Sequence, residues 1–152
     1  MKIFVDADAH PNMIKEILFR AADRLCIPLI FVANQYLKVP QSPYISSMAV
    51  TAAPDAADDE IVKMLNQGDL VITADLPLAD RVINKGGYVI NPRGTLYTQD
   101  NIKEKLAMRD LMDELRNGGL ISDGPSPFSR KDRQAFANQL DRLLTKYCKN
   151  SE

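Results

Sequence analysis

The amino-acid sequence predicts an α/β domain of three layers, in which a mostly parallel central sheet lies between helices. Short apolar segments rich in strand-forming residues alternate with segments whose apolar residues recur at helical spacing. The strand segments look buried on both faces, which is typical of parallel strands covered by helices on both sides. With 152 residues, the chain is long enough for one domain with a sizeable core and too short for two ordinary ones.

The first two thirds of the chain contain the alternating elements. We expect strands in KIFVDAD, PLIFVAN, SMAVTAA, DLVITAD and YVINP, and helices in PNMIKEILFRAADRL, DDEIVKMLNQG and LADRVINKGG. In the first helix, Ile14, Leu18 and Ala21 fall on one face with Ile17 and Leu25. The second helix has acidic residues in its first turn and Gly68 after its end, as the helix dipole and C-cap preferences require.

The last third is predicted to be helical. One helix covers residues 98–116, with Thr98 as its N-cap, and a Gly/Pro/Ser-rich loop, NGGLISDGPSPFS, follows it. Ser129 and Asp132 are placed to open the final helix as a capping pair. We therefore expect a single domain over residues 1–152, in which residues 98–152 form a helical C-terminal extension packed on the sheet.

Composition restricts the class of protein. Hydrophobic residues make up 45% of the chain and charged residues 26%, which is typical of a soluble globular protein. The net charge of -1 gives no global field that favours nucleic acid, although a local basic face is compatible with it. Cys26 is expected to be a small buried thiol. The N-terminus has no basic segment followed by a long apolar stretch, so we expect a cytoplasmic protein without membrane contact.

Aspartates follow the predicted strands at positions where parallel sheets bind ligands. Asp6 and Asp8 follow the first strand and Asp75 follows the fourth, while Asp58 opens the helix between the third and fourth strands. Ligands of open parallel sheets bind at the carboxyl ends of the strands, where the strand order reverses. If the first and fourth strands are neighbours, these acids gather at one edge of the sheet.

Several carboxylates in one crevice need a counter-charge, and a divalent cation supplies it. Hard oxygen ligands suit Mg²⁺ or Mn²⁺, and such an ion binds phosphate oxygens and polarises water. We therefore expect a metal site formed by Asp6, Asp8, Asp58 and Asp75. Three of these acids also have a structural interpretation: Asp8 and Asp75 can cap helices, and Asp58 can interact with a helix dipole. Asp6 is the hardest to explain in this way, because it ends the most apolar strand.

Two arginines are candidates for binding a phosphate. Arg93 follows a strand end and precedes Gly94, which lets the backbone approach a ligand closely. Arg109 and Arg116 lie on one face of the following helix. Because a guanidinium donates two parallel hydrogen bonds to phosphate, we expect Arg93 and Arg109 to bind substrate. The alternative is an ion pair with a nearby acid, such as Asp110 for Arg109.

His10 is the only histidine and is open to three interpretations: metal ligand, proton shuttle or surface residue. A single histidine disfavours a histidine-based catalytic triad and a histidine-rich zinc site.

Several motifs in fixed order resemble a known family. MKIFVDADAHP, VANQ, AADDEIV, GDLVITADLPLA, NPRG, MRDLMDELR and the GGL…DGP loop resemble the YaiI/YqxD family of uncharacterised bacterial proteins, from Lys2 to about Leu143. That family is similar to the PIN-like nuclease domains, in which a cluster of acids holds Mg²⁺ or Mn²⁺ for RNA cleavage. The resemblance implies a PIN-like fold with Asp6 and Asp75 as the catalytic acids, RNA as a partner and, since such domains often pair, a homodimer. The family usually has DADACP, so His10 replaces a cysteine, which excludes cysteine chemistry at this position.

Three functions fit these observations. The first is a metal-dependent nuclease or phosphodiesterase that acts on RNA through a metal-activated water. The second is a non-catalytic PIN-like module that binds RNA, a nucleotide or a protein. The third is a phosphatase of the haloacid-dehalogenase type, whose DxDx signature resembles DADA, with Asp6 as nucleophile and Asp8 as general acid. A helix that starts at once after DADA opposes the third function, because that fold needs a turn and a hairpin flap there.

Overall fold

A computed structural model describes residues 1–7, 12–53, 55–119 and 127–148. Its strands are β1 (Ile3–Asp6), β2 (Leu29–Ala33), β3 (Ile45–Ala49), β4 (Leu70–Ile72), β5 (Tyr88–Ile90) and β6 (Leu96–Tyr97). Its α-helices are α1 (Lys15–Leu25), α2 (Ala56–Met64), α3 (Leu76–Asn84), α4 (Gln99–Asn117) and α5 (Arg130–Cys148), and a short 3-10 helix (Asn12–Ile14) precedes α1. The mixed α/β composition agrees with the fold class predicted from the sequence.

The six strands form one sheet in the order β3-β2-β1-β4-β5-β6. The first five strands of this order are parallel, and β6 pairs antiparallel to β5. β1 and β4 are therefore neighbours, as the clustering of the acids requires. The strand order reverses between them, because β2 and β3 lie on one side of β1 and β4 and β5 on the other.

Both faces of the sheet are covered, which gives the three layers. Residues alternate along β1, so that Ile3 and Val5 enter one core and Phe4 enters the other. Helices α1 and α5 cover the first face, with Leu18, Ala21, Ala22, Phe136, Leu140, Leu143 and Leu144 buried there. Helices α2, α3 and the start of α4 cover the second face, with Ala57, Ile61, Leu78, Ala79, Val82, Ile83 and Ile102 buried there.

The two C-terminal helices begin with the predicted caps. Thr98 and Asn101 form a reciprocal capping box at α4. At the start of α5, the Ser129 hydroxyl accepts a hydrogen bond from the Asp132 backbone N–H at 3.2 Å, and the Asp132 carboxylate accepts one from the Ser129 N–H at 3.0 Å. α5 then packs into the core through Phe136, which is fully buried.

Two local predictions were wrong. Cys26 is exposed, because it adopts a left-handed conformation (φ 56°) that ends α1 and leaves Ile27 to enter the core. β3 ends at Ala49, so the TAA segment, expected as its end, is not part of the strand. No helix within the described ranges is long and apolar enough to cross a membrane.

Candidate metal centre

Three of the predicted acids line one cavity. Asp6, Asp58 and Asp75 form the wall of a cavity of about 270 Å³ at the carboxyl ends of β1 and β4. We call it the acidic cavity; its other lining residues are Asn34, Val50, Thr51, Ala53, Asp55, Ala56 and Ala57. Asp8 and His10 lie outside the described residues. The adjacency of β1 and β4 thus brings together the acids that the sequence placed after each strand.

Thr73 connects two of these acids. It follows β4, only 1% of its surface is exposed, and its hydroxyl donates a hydrogen bond to Asp6 Oδ2 at 3.0 Å. The Thr73 hydroxyl oxygen also accepts a hydrogen bond, from the Asp75 backbone N–H, at 3.0 Å. A hydroxyl has one proton to donate, so donation to Asp6 leaves the oxygen lone pairs for Asp75. Thr73 therefore fixes the end of β1 against the turn that carries Asp75.

Asp75 both caps a helix and lines the cavity. Its Oδ1 accepts a hydrogen bond from the Leu78 backbone N–H at 3.0 Å, which satisfies a donor in the first turn of α3. The capping role considered for this residue is therefore present. A carboxylate has about four acceptor sites on two oxygens, so one capping bond is compatible with a second role in the cavity.

The pKa of Asp58 reflects the burial and negative charge of the acidic cavity. Burial, together with the negative charges of Asp75, Asp6 and Asp55, raises its pKa from 3.8 to about 6, although the Arg81 guanidinium opposes the shift. Burial is the largest cause, and the three neighbouring carboxylates add to it, so the ionisation of Asp58 is disfavoured. A cation placed among these carboxylates would remove that penalty.

The donor chemistry fits a hard divalent cation, because such a cation prefers oxygen ligands. The cavity lining offers the carboxylate oxygens of its aspartates and the amide oxygen of Asn34. Among the described residues, no group of three histidine, cysteine, aspartate or glutamate side chains forms a set that could hold a metal ion as it stands. The acids therefore share a cavity without forming a complete set of metal ligands there.

The sequence interpretation missed three polar residues of this region. Asn34 follows β2 and Thr73 follows β4, so the rule that identified Asp6 and Asp75 would also have found them. Asp55 precedes α2 in a left-handed conformation (φ 63°), which aspartate tolerates better than most residues. Its position in the APDAADDE segment was the available signal.

Arg93 lies in a structural ion pair. Its Nη1 is 2.9 Å from Asp132 Oδ2, and its guanidinium lies 6.0 Å from the centre of the Phe128 ring. The expectation that Gly94 admits a ligand was wrong: a Cβ at this position would lie 2.5 Å from the backbone of Ala135. The glycine, at φ 95°, instead lets the β5–β6 loop contact α5. These contacts favour the ion-pair alternative for Arg93, which does not line the acidic cavity.

Arg109 lies beside the acids. A second cavity, of about 410 Å³, is lined by Ala74, Asp75, Leu76, Pro77, Arg109, Asp113 and Arg116. We call it the arginine cavity. Arg109 and Arg116 reach it from the same face of α4, as predicted, and Asp75 belongs to the walls of both cavities. The Arg109 guanidinium is 3.7 Å from the Asp110 carboxylate and 3.9 Å from the Asp113 carboxylate. The ion pair considered as the alternative to phosphate binding is therefore present, with long separations for an ion pair.

Comparison with known proteins identifies the family. The family model described as "Uncharacterized BCR, YaiI/YqxD family" matches residues 4–146. The chain belongs to the YaiI/YqxD family. It is similar to a UPF0178 protein of Syntrophotalea carbinolica, with 58% identity over 97% of this chain and 99% of the relative. It is also similar to a UPF0178 protein of Thioalkalivibrio sulfidiphilus, with 60% identity over 96% and 99% of the two chains.

A UPF0178 protein of Shewanella pealeana is 56% identical over 99% of this chain and its own full length. No solved structure shows a significant match to the chain. The resemblance drawn from the motifs is therefore confirmed at the level of the family. The names of these YaiI/YqxD proteins describe no activity, so a function must be inferred from the site itself.

Proposed function

We propose that this YaiI/YqxD protein is a divalent-metal-dependent phosphodiesterase that cleaves RNA at the acidic cavity. One observation carries the proposal: Asp6, Asp58 and Asp75 line a single cavity at the point where the strand order reverses. Their mutual repulsion, which helps to raise the pKa of Asp58 to about 6, is a charge imbalance that a bound Mg²⁺ or Mn²⁺ would correct.

In this proposal the acids of the cavity bind the metal ion and Arg109 binds the substrate. Asp6 and Asp75 would be the principal ligands, with Asp58 and Asp8 binding directly or through water. The Thr73 hydroxyl connects the Asp6 carboxylate to the Asp75 backbone N–H. When bound, Mg²⁺ or Mn²⁺ activates water and neutralises charge on a phosphate. Arg109 lines the arginine cavity together with Asp75, so we assign it the role of holding a phosphate of the substrate.

A non-catalytic binding module is the second candidate, and one observation favours it. Within the described ranges the acids do not form a group spaced to hold a metal ion. A module of this kind would bind Mg²⁺ and Mn²⁺ weakly and would not depend on Asp6 for binding RNA.

The phosphatase alternative has less support. Only residues 7–11 separate Asp6 from the 3-10 helix that starts at Asn12, which leaves no room for a hairpin flap. The Asp6 carboxylate also accepts a hydrogen bond from Thr73, which lowers its nucleophilicity.

The deciding experiment is Mn²⁺ binding by calorimetry, together with Mn²⁺-dependent cleavage of mixed single-stranded RNA. We expect the wild type to bind and cleave, and Asp6→Asn and Asp75→Asn to lose both properties. Asp80→Asn is the matched control, because Asp80 lies on α3 near Asp75 but lines neither cavity. Folded wild-type protein that neither binds Mn²⁺ nor cleaves RNA would contradict the proposed nuclease and favour the binding-module alternative.

A further inference from the structure

We propose that the arginine cavity binds the backbone phosphate adjacent to the one that is cleaved, so that the substrate is a single-stranded RNA chain and not a phosphomonoester. This inference rests on the proposed function for the position of the cleaved bond. Its physical basis is that Asp75 is a wall shared by the two cavities. A chain that crosses Asp75 therefore has a phosphate in each.

The arginine cavity is built by one face of α4. Arg109, Asp113 and Arg116 are spaced by four and three residues, which places them on the same side of the helix. Ile102 is buried and Leu106 packs on the same core, so the first half of α4 is anchored beside α3. The second half then carries the two arginines across the N-terminus of α3, next to Asp75.

Asp113 holds the two guanidinium groups together. Its Oδ1 lies 3.2 Å from Arg116 Nη1 and its Oδ2 lies 3.9 Å from Arg109 Nε. Each guanidinium has five donors in a planar fork, and these contacts use few of them. The side chains are 46% and 43% exposed, so a phosphate can reach the remaining donors without a large desolvation cost.

Charge separates the roles of the two cavities. The acidic cavity is lined by carboxylates and repels phosphate unless a cation is bound. The arginine cavity has two guanidinium groups against Asp75 and Asp113, so it accepts a phosphate more readily than its neighbour does. A mononucleotide would fill only one of these positions, whereas an RNA chain fills both. We therefore expect length-dependent binding.

The test is the binding of a fluorescein-labelled single-stranded RNA octamer, measured by anisotropy at several salt concentrations with Ca²⁺ in place of Mn²⁺, so that the acidic cavity can hold a cation. Arg109→Gln and Arg116→Gln should each raise Kd about fivefold and lower the salt slope by about one. Arg20→Gln is the matched control, because Arg20 is also an exposed helical arginine that pairs with an acid four residues away. It should leave both values unchanged. Uridine monophosphate should bind weakly to all four proteins.

Failure of this inference is distinguishable from failure of the proposed function. RNA binding that is equal in the wild type and both arginine variants, with melting temperatures unchanged, would overturn the inference even if Mn²⁺-dependent cleavage occurs. RNA binding that depends on both arginines, in a protein that neither binds Mn²⁺ nor cleaves, would support the arginine cavity and overturn the nuclease. Loss of binding in Arg20→Gln as well would show nonspecific charge attraction and would also overturn the inference.

Discussion

The two ends of β4 both carry aspartates, but their surroundings differ. Before the strand, Asp69 is 4% exposed and accepts hydrogen bonds from the backbone N–H groups of Lys2 and Asn66, each at 2.9 Å, with the Lys2 ammonium 3.6 Å away. After the strand, Asp75 shares a cavity with Asp6 and Asp58. A buried carboxylate surrounded by donors stabilises a fold, whereas neighbouring carboxylates destabilise it and create a place for a cation.

The largest change in the free energy of unfolding should come from Asp69, the carboxylate that precedes β4 and accepts hydrogen bonds. Asp69→Ala removes a buried acceptor. Two backbone N–H groups then lose their hydrogen bonds to this carboxylate, and the Lys2 ammonium loses its ion pair. We expect the free energy of unfolding to fall by about 3 kcal/mol, as for other broken buried networks. Urea denaturation of Asp69→Ala and of the control Asp80→Asn, whose side chain is partly exposed, measures this loss. If Asp69→Ala lowered the free energy of unfolding no more than Asp80→Asn does, Asp69 would not be a stabilising carboxylate, and the contrast with Asp75 would be contradicted.

Thr73 tests how the cavity end is held together. Thr73→Val keeps the shape of a buried side chain but removes the donor to Asp6 and the acceptor for the Asp75 N–H. We expect a loss of about 1 to 2 kcal/mol in the free energy of unfolding. The same variant should also weaken Mn²⁺ binding, because the end of β1 is no longer tied to Asp75. Thr73→Ser, which keeps the hydroxyl, should retain most of both properties.

Asp58→Asn should instead stabilise the protein at neutral pH. Its folded-state pKa of about 6 exceeds the ordinary 3.8, so between these values the folded state holds a proton that the unfolded state has lost. Wild-type stability therefore falls as the pH rises through this window. Replacing the acid should add about 1 kcal/mol above pH 6, after allowance for solvent screening, and nothing below pH 4. Thermal unfolding of both proteins across pH 4–8 measures the difference.

Elements defined by local pattern were predictable from the sequence, and contacts distant in the chain were not. The parallel sheet followed from mostly apolar strands that alternate with helices, and the shared cavity followed from placing acids after strands that the fold brings side by side. The ion pair of Arg93 was not predictable, because its partner, Asp132, lies 39 residues further along the chain. Gly94 was misinterpreted for the same reason, since no local signal shows that α5 packs against it.

The most direct test of the charge imbalance is an NMR titration of the Asp58 carboxyl carbon with and without Mg²⁺. Without Mg²⁺, we expect a pKa of about 6, raised by burial and by Asp75, Asp6 and Asp55. With saturating Mg²⁺, the pKa should fall well below that value, because the cation favours the ionised carboxylate. A pKa that starts near 3.8, or one that Mg²⁺ leaves unchanged, would contradict a cation site in the acidic cavity.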